Sequence, residues 1–476
     1  MHTVEKIGGT SMTDYESVRD NIIKENVHGI YHRIFVVSAY GGITNLLLEH
    51  KKSGQPGIYG LFASAIEDDS WLIQFNKLRI TLREINYRLF GDSELLQEAN
   101  LFLEERIEGA RKCLRDLQSL CQHGHFALDA HLGTVREMLA SIGEAHSAWN
   151  TSRLLQRDGI NACFIDLTGW KTSRHISLDE RIRNAFANID LSKQLPIVTG
   201  YAHSDTGLLV SFDRGYSEMT FSRLAVLTGA KEAIIHKEFH LSSADPRLVD
   251  AEKAVPIGRT NYDVADQLAN LGMEAIHPKA AKGLRRQNIP LRVKNTFEPD
   301  HTGTLITRDY ISDSPCVEII AGCKGVYALE LFDQDMAGNI YDYDREVLSI
   351  IKRFRAHVIS KETNANSLTH FLSTNLKTIK RIQVAIENCF PEAELNQRKV
   401  AIVSAIGSDM QIPGILSKAV HSISSKNIEV LAVHQSMRHV DMQFFVNEAD
   451  YDITVRSLHE TLIEVHEHGT AICLAS

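Results

Sequence analysis

Short apolar runs, each closed by a polar turn, constrain this chain more than any other feature of it. Ile34-Phe35-Val36-Val37 ends in Ser38-Ala39-Tyr40-Gly41-Gly42. Leu195-Pro196-Ile197-Val198-Thr199-Gly200 and Glu232-Ala233-Ile234-Ile235-His236-Lys237 repeat the pattern. A strand that is apolar without alternation is covered on both faces, which is the situation of a parallel sheet flanked by helices. Helical stretches such as residues 261–271 lie between these runs. Strands alternating with helices imply an α/β domain with a mainly parallel sheet, and the signal extends over residues 1–307.

Residues 50–130 are richer in acidic and long side chains, and residues 94–120 read as one long amphipathic helix. This predicts a mostly helical excursion from the sheet. After the polar stretch at 309–315 the pattern changes. Residues 400–406 form an apolar strand, Pro413-Gly414 opens a helix, and strands follow at 428–434 and 442–447 before a helix at 451–464. The order is βαββα, with a short last strand expected near Ile472. Residues 316–398 allow a similar reading, so two α+β units in tandem are expected, at 316–398 and 399–476.

The length of 476 residues accommodates two or three such domains. A net charge of −9 argues against broad binding to nucleic acid or anionic membranes, and requires any anion site to concentrate positive charge locally. No apolar run follows the first basic residue as in a signal peptide, and none reaches the ~18 residues of a membrane span. Seven scattered cysteines without a CxxC pair fit a reduced cytoplasm.

Three turns carry chemistry. Lys6-Ile7-Gly8-Gly9-Thr10-Ser11 joins the first strand to a helix. Adjacent glycines let backbone N–H groups approach phosphate oxygens, and the lysine adds a point charge. A tight turn with a solvated lysine explains the same residues about as well, and the spacing is not that of a Walker A loop. Ser38 to Asn45 is a second such turn, with hydroxyls at Ser38 and Thr44. Ligands bind at the carboxyl edge of open parallel sheets, where both turns belong. In Phe212-Asp213-Arg214-Gly215-Tyr216-Ser217-Glu218, Arg214 could hold a carboxylate as a fork, or pair with Glu218 on a surface. Cys121, His123, His125 and His131 cluster, but their spacing matches no standard zinc pattern, and no metal site is assigned.

Taken in order, these segments resemble the aspartokinases, members of the amino-acid kinase fold. Lys6 to Ser11 matches the opening KxGGTS, and Val37-Ser38-Ala39 through Thr44-Asn45 matches VSAxxGxTxxL. Ser141-Ile142-Gly143-Glu144-Ala145-His146-Ser147-Ala148 is similar to the family's GERLSA segment. Residues 211–218, 244–247, 272–278 and 294–304 resemble TLGRGGSD, ADPR, GAKVLHP and NTFxPxxxGT.

The resemblance covers essentially the whole chain. It implies a three-layer kinase domain followed by paired ACT domains (βαββαβ). It also implies transfer of phosphate from ATP, as its Mg²⁺ complex, to the side-chain carboxylate of L-aspartate. Lys6 would hold the transferred phosphate, with Gly8 and Gly9 as backbone donors and Glu218 orienting Lys6 or the metal shell. Ser38, Thr44, Glu144, Arg214 and Ser217 would line the aspartate site. His236, Lys237, Arg247 and Lys279 would serve the nucleotide. The ACT pair implies a small-molecule effector and a homodimer or larger homo-oligomer.

Several positions depart from the family pattern. Glu218 stands where aspartate is usual, Glu274 where a lysine is expected, and His236-Lys237 where Thr-Asp is usual. Residues 436–441 do not reproduce the usual effector loop. These departures resemble the aspartokinase subtype associated with ectoine synthesis. Two other readings stay open on the residues: a related amino-acid kinase acting on another carboxylate, and a catalytically silent amino-acid sensor.

Overall fold

The computed structural model describes residues 1–24, 29–50, 53–64, 69–123, 125–172, 176–212, 215–273 and 275–464. The chain divides into two units, one of Met1–His240 with Ile276–Arg308, the other of Leu241–Ala275 with Asp309–Ser476. The segment 241–275, read from sequence as part of the kinase domain, groups with the C-terminal unit.

In the first unit the expected parallel sheet is present. Its strands are β1 (Thr3–Ile7), β2 (Arg33–Val37), β3 (Ala162–Ile165), β4 (Leu195–Thr199), β5 (Glu232–Lys237), β6 (Leu291–Asn295) and β7 (Thr304–Thr307). They lie in the order β3-β4-β2-β1-β5-β6-β7, with only the β6–β7 pair antiparallel. All residues of β1, β2 and β4 are buried, including the charged Glu5, Lys6 and Arg33, as strands covered on both faces require. The excursion is a pair of long helices, α1 (Ser70–Phe90) and α2 (Glu94–Cys121), joined by a short turn. Asn86 donates to Asn100 across the pair, and Arg79 and Arg83 both pair with Glu104. The helix expected at 94–120 is therefore observed almost to the residue. A third long helix, α3 (Leu132–Arg157), returns to pack on β2, β3 and β4, and α4 (Tyr216–Thr228) packs on β1, β2 and β5.

Among the described residues, no helix is long and apolar enough to cross a membrane. Nor does any group of three or more His, Cys, Asp or Glu side chains among them converge as a metal site would require.

The second unit holds a six-stranded antiparallel sheet. Its strands are β8 (Ile319–Phe332), β9 (His357–Thr363), β10 (Ser367–Ser373), β11 (Glu394–Ile406), β12 (Ala432–Gln435) and β13 (Asp441–Asn447), in the order β9-β10-β8-β11-β13-β12. The two βαββα halves expected from sequence are there, but they share strands. The last part of β8 and the first part of β11 complete the first half, pairing Glu394–Val400 with Val326–Phe332. Beyond a register shift the remaining parts complete the second half, pairing Ile402–Ile406 with Ile319–Cys323. The boundary expected at 398/399 thus lies inside one continuous strand. The fourth strand of the second half comes from residues 319–323; the strand expected near Ile472 lies outside the described residues. Each half keeps its own core, Leu329, Leu331, Ile350 and Ile382 in one and Ile402, Val403, Phe444 and Leu458 in the other.

A charged network is sealed beneath the first sheet. Glu5 is fully buried on β1, where Arg33 holds it by two bonds of 2.6 and 2.9 Å and the His236 ring by one of 2.8 Å. The remaining Arg33 donors reach the carbonyls of Ile22 and Ile23. Burial works against the Glu5 carboxylate, yet Arg33 and His236 together hold its pKa well below the usual range. Removing one partner leaves a buried charge unanswered. Arg33→Ala is expected to destabilise the first unit by about 3–5 kcal/mol, read as a lower urea midpoint. A midpoint within error of the parent would show that Glu5 finds another partner. Because the folded pKa of Glu5 is depressed, its stabilising contribution is present above the ordinary carboxylate pKa and is lost as pH falls below it.

Candidate active site

The carboxyl ends of β1, β2, β4 and β5 meet along one edge of the parallel sheet, and the backbone ties their turns together. Ser38 N–H donates to the Ile7 carbonyl at 3.2 Å, Gly200 N–H to Val37 at 3.0 Å, and Gly8 N–H to His236 at 3.2 Å. Gly9 is needed for space: a Cβ there would sit 2.6 Å from the Ala39 carbonyl oxygen. The first two turns therefore lie against each other. Since the Gly8 N–H is committed to His236, Gly9 is the glycine of the pair whose amide fits a phosphate.

Lys6 and Glu218 are adjacent there although 212 residues apart in sequence. Lys6 Nζ donates to Glu218 Oε1 at 3.0 Å, and the His277 N–H donates to Glu218 Oε2 at 2.5 Å. Glu218 sits in the first turn of α4 and is nearly buried. Burial raises its pKa, but the charges of Lys6 and Lys237 and the bonds from Lys6 and the His277 amide outweigh that and lower it. One carboxylate joins the Lys6 ammonium to the His277 backbone. Two cations, Lys6 and Lys237, thus face one ionised carboxylate at the strand ends, in a protein whose net charge is negative.

Next to this pair is a second carboxyl group of opposite character. Glu144 projects from the buried middle of α3, and Ser217 Oγ donates to its Oε1 at 2.8 Å. Its Oε2 is buried and makes no hydrogen bond of ordinary geometry. Burial is the largest influence and pushes the Glu144 pKa up to about 8, against the pull of Ser217, Lys6 and the nearby amides of Tyr201 and Ala39. A Cβ on Gly200 would lie 2.7 Å from Glu144 Oε2 and 2.8 Å from the Val37 carbonyl. Glycine at 200 is what lets the carboxylate reach the strand edge. Ser147, one turn along α3, fixes the neighbouring loop by donating to the Ser38 carbonyl at 2.8 Å. A buried acid close to a lysine suits a ligand carrying both an ammonium and acidic groups.

The residues expected from sequence divide as follows. Lys6, Glu218, Glu144 and Ser217 form one connected cluster, and Lys237 acts on it. Ser38 and Thr44 lie half-buried on the adjoining loop and the helix Ile43–Leu47. His236 is placed differently: its ring is buried against Glu5 rather than open to a nucleotide, and burial lowers its pKa. Lys279 is exposed at the start of the helix Pro278–Arg286, its Nζ 5.0 Å from the centre of the Phe212 ring. Arg247 belongs to the second unit, where it is exposed and bonded to Asp245 at 2.7 Å. Arg214 and Glu274 lie outside the described residues. Sequence reasoning singled out neither Gly200 nor the His277 amide for a role, although both were legible as positions in turns. Their roles depend on partners remote in the chain.

Comparison with known proteins identifies the family. Residues 1–295 match the amino acid kinase family and residues 403–462 match an ACT domain. The chain is 53% identical over 477 residues to the aspartate kinase Ask_Ect of Stutzerimonas stutzeri (strain A1501), covering 100% of both chains. It is 25% identical to chloroplastic aspartokinase 1 of Arabidopsis thaliana, over 97% of this chain and 80% of that one. Among solved structures, E. coli aspartokinase III in complex with aspartate and ADP superposes with a TM-score of 0.72 at 21% identity, covering 98% of this chain and 100% of that one. Full-length identity of this order, with the family model matched over residues 1–295, places the chain in the aspartate kinases of the amino acid kinase family.

Proposed function

We propose that the chain transfers the γ-phosphate of ATP to the side-chain carboxylate of L-aspartate, giving 4-phospho-L-aspartate and ADP. The observation that carries this reading is the placement of the Lys6–Glu218 bridge beside the buried Glu144–Ser217 pair at one sheet edge. The substrate ammonium would bind Glu144, which is buried beside Ser217 and close to Lys6. Ser38 and Thr44 would supply hydroxyls, and Arg214, assigned from its motif alone, would hold a carboxylate. Gly9 and Lys6 would cradle the transferred phosphate, with Lys237 and Lys279 as further cations on the nucleotide side.

No general base is required, because the attacking carboxylate is already ionised at neutral pH. One carboxylate oxygen of aspartate forms the new P–O bond as the bond from the γ-phosphorus to the bridging oxygen of ADP breaks. The obstacle is repulsion between an anion and a polyphosphate, which positioned cations and backbone donors reduce. Both oxygens of Glu218 are occupied by Lys6 and the His277 amide. Mg²⁺ therefore fits this site as part of the nucleotide complex, held mainly by phosphates and water, and would neutralise phosphate charge there. The antiparallel unit is read as regulatory, with a small-molecule effector and self-association, and the protein as cytoplasmic. The subtype associated with ectoine synthesis is part of the same reading, supported by the 53% identity to Ask_Ect.

Trapping the acyl phosphate with hydroxylamine tests the reaction directly: product is expected with aspartate, ATP and Mg²⁺ together, and none with glutamate. Folded, nucleotide-binding protein without product would make the chain a sensor instead. Lys6→Ala should reduce turnover on the order of 10³-fold in protein that is still folded by circular dichroism, with a lowered unfolding midpoint because Glu218 loses its partner, and retained turnover would remove Lys6 from the mechanism. Gly200→Ala should lower kcat/KM for aspartate by about ten- to a hundredfold by displacing the Glu144 carboxylate, with the KM for ATP little altered. The free-enzyme pKa of Glu144 near 8 has a signed consequence. Below that pH the group is neutral and binds an ammonium poorly. The kcat/KM for aspartate should therefore fall by up to about tenfold per pH unit below 8, and Glu144→Gln should flatten the profile. A wild-type profile flat between pH 6 and 8 would count against this role for Glu144.

A further inference from the structure

The first helix of the α1–α2 pair carries a feature the reaction does not use. Its inner face buries Trp71, Phe75, Leu78, Leu82, Ile85 and Phe90. On the opposite side Ile73, Ile80 and Tyr87 are 73%, 59% and 56% exposed. Their seven-residue spacing sets them in one line along the helix, drifting by only about 20° per repeat. β-branched and aromatic residues are indifferent helix formers, so local propensity does not explain them on a solvated face. Between them on the same stripe lie Lys77 and Glu84, both exposed. Among the described residues neither is held in an ion pair, although Arg79 and Arg83 of the same helix both are.

We propose that this stripe docks against the same stripe of a second copy of the chain, with the two helices antiparallel about a two-fold axis at Ile80. The pattern is its own complement in that arrangement. Ile80 meets Ile80 on the axis, and Ile73 and Tyr87, seven residues to either side, exchange places so that each apolar residue faces another. Lys77 of each copy comes beside Glu84 of the other, forming two ion pairs from groups that have none among the described residues. A parallel arrangement would set Lys77 against Lys77 and Glu84 against Glu84, and like charges disfavour it. The apolar surface offered is small. An interface of this size falls below the roughly 1,200 Å² of stable complexes, so the association is reversible and depends on concentration.

Sedimentation velocity of the full chain across a range of concentrations tests this, with specific activity as the control for folding. Any association through the antiparallel unit is common to all variants, so the readout is the additional step. Wild type is expected to show a concentration-dependent heavier species that Ile80→Glu abolishes. Lys77→Glu should weaken the same step at least about tenfold, and the double exchange Lys77→Glu with Glu84→Lys should restore it. Absence of the step in wild type, or its persistence in Ile80→Glu, overturns the proposal. If the double exchange does not recover what Lys77→Glu loses, the antiparallel register is wrong and the proposal falls with it.

Discussion

Glu5 and Lys6 are neighbours on a strand buried in the middle of a sheet, and each brings a full charge into a place where water cannot answer it. Successive side chains of a strand point to opposite faces, so the two charges must be met by different parts of the protein. Glu5 is met by Arg33 from the next strand and His236 from the strand on the other side, all sealed from solvent. Lys6 is met by Glu218 at the start of α4. The first arrangement fastens three central strands together. The second places a lysine at the carboxyl edge, held by one carboxylate that is itself anchored to a backbone amide. Much of the kinase unit can be seen as the means of satisfying these two adjacent charges in different ways.

The contrast between Glu218 and Glu144 follows from the same reasoning. Both are buried carboxyl groups near Lys6, yet burial is outweighed at one and prevails at the other. Glu218 receives a lysine at contact distance, a second cation and an amide, and stays ionised. Glu144 receives a hydroxyl, the more distant influence of Lys6 and the pull of two nearby amides, which together do not offset its burial, and is held nearly neutral until a cation arrives. A permanently ionised group suits the positioning of Lys6. A group that gains its charge when an ammonium binds suits recognition of an amino acid, since little desolvated charge is left exposed when the site is empty.

In the antiparallel unit the two halves are interlocked by sharing β8 and β11. Each long strand serves one half along its first part and the other half along its second, with a shift of register between them. A disturbance in either half therefore acts on strands that belong to both. The segment 241–275 joins this unit through Ser243, whose carbonyl accepts from Ile320 N–H at 2.7 Å and whose hydroxyl lies 3.0 Å from His459. Residues between kinase motifs in the sequence thus pack into the unit that follows them.

What the sequence determined by itself was whatever depends on local pattern. Unbroken apolar runs specified β2, β4 and β5, because a parallel strand covered on both faces has no polar side to show. Long-period amphipathicity specified α2, and the Gly8-Gly9 and Gly41-Gly42 turns marked the ligand edge, because glycine admits the close approach at Gly9 and the positive φ at Gly42. The tertiary structure alone decided which partners meet. His236 resembled a nucleotide contact until β1 and β5 paired and brought Glu5 beneath it. Gly200 closed an ordinary strand until Glu144, on a helix 56 residues earlier in the chain, needed the space. The exchange between β8 and β11 was equally illegible, since a strand's pattern records that its faces are buried but not which neighbour buries them. Propensity and periodicity act over a few residues, whereas the charges, hydrogen bonds and clearances of this site join residues that only the folded chain brings together.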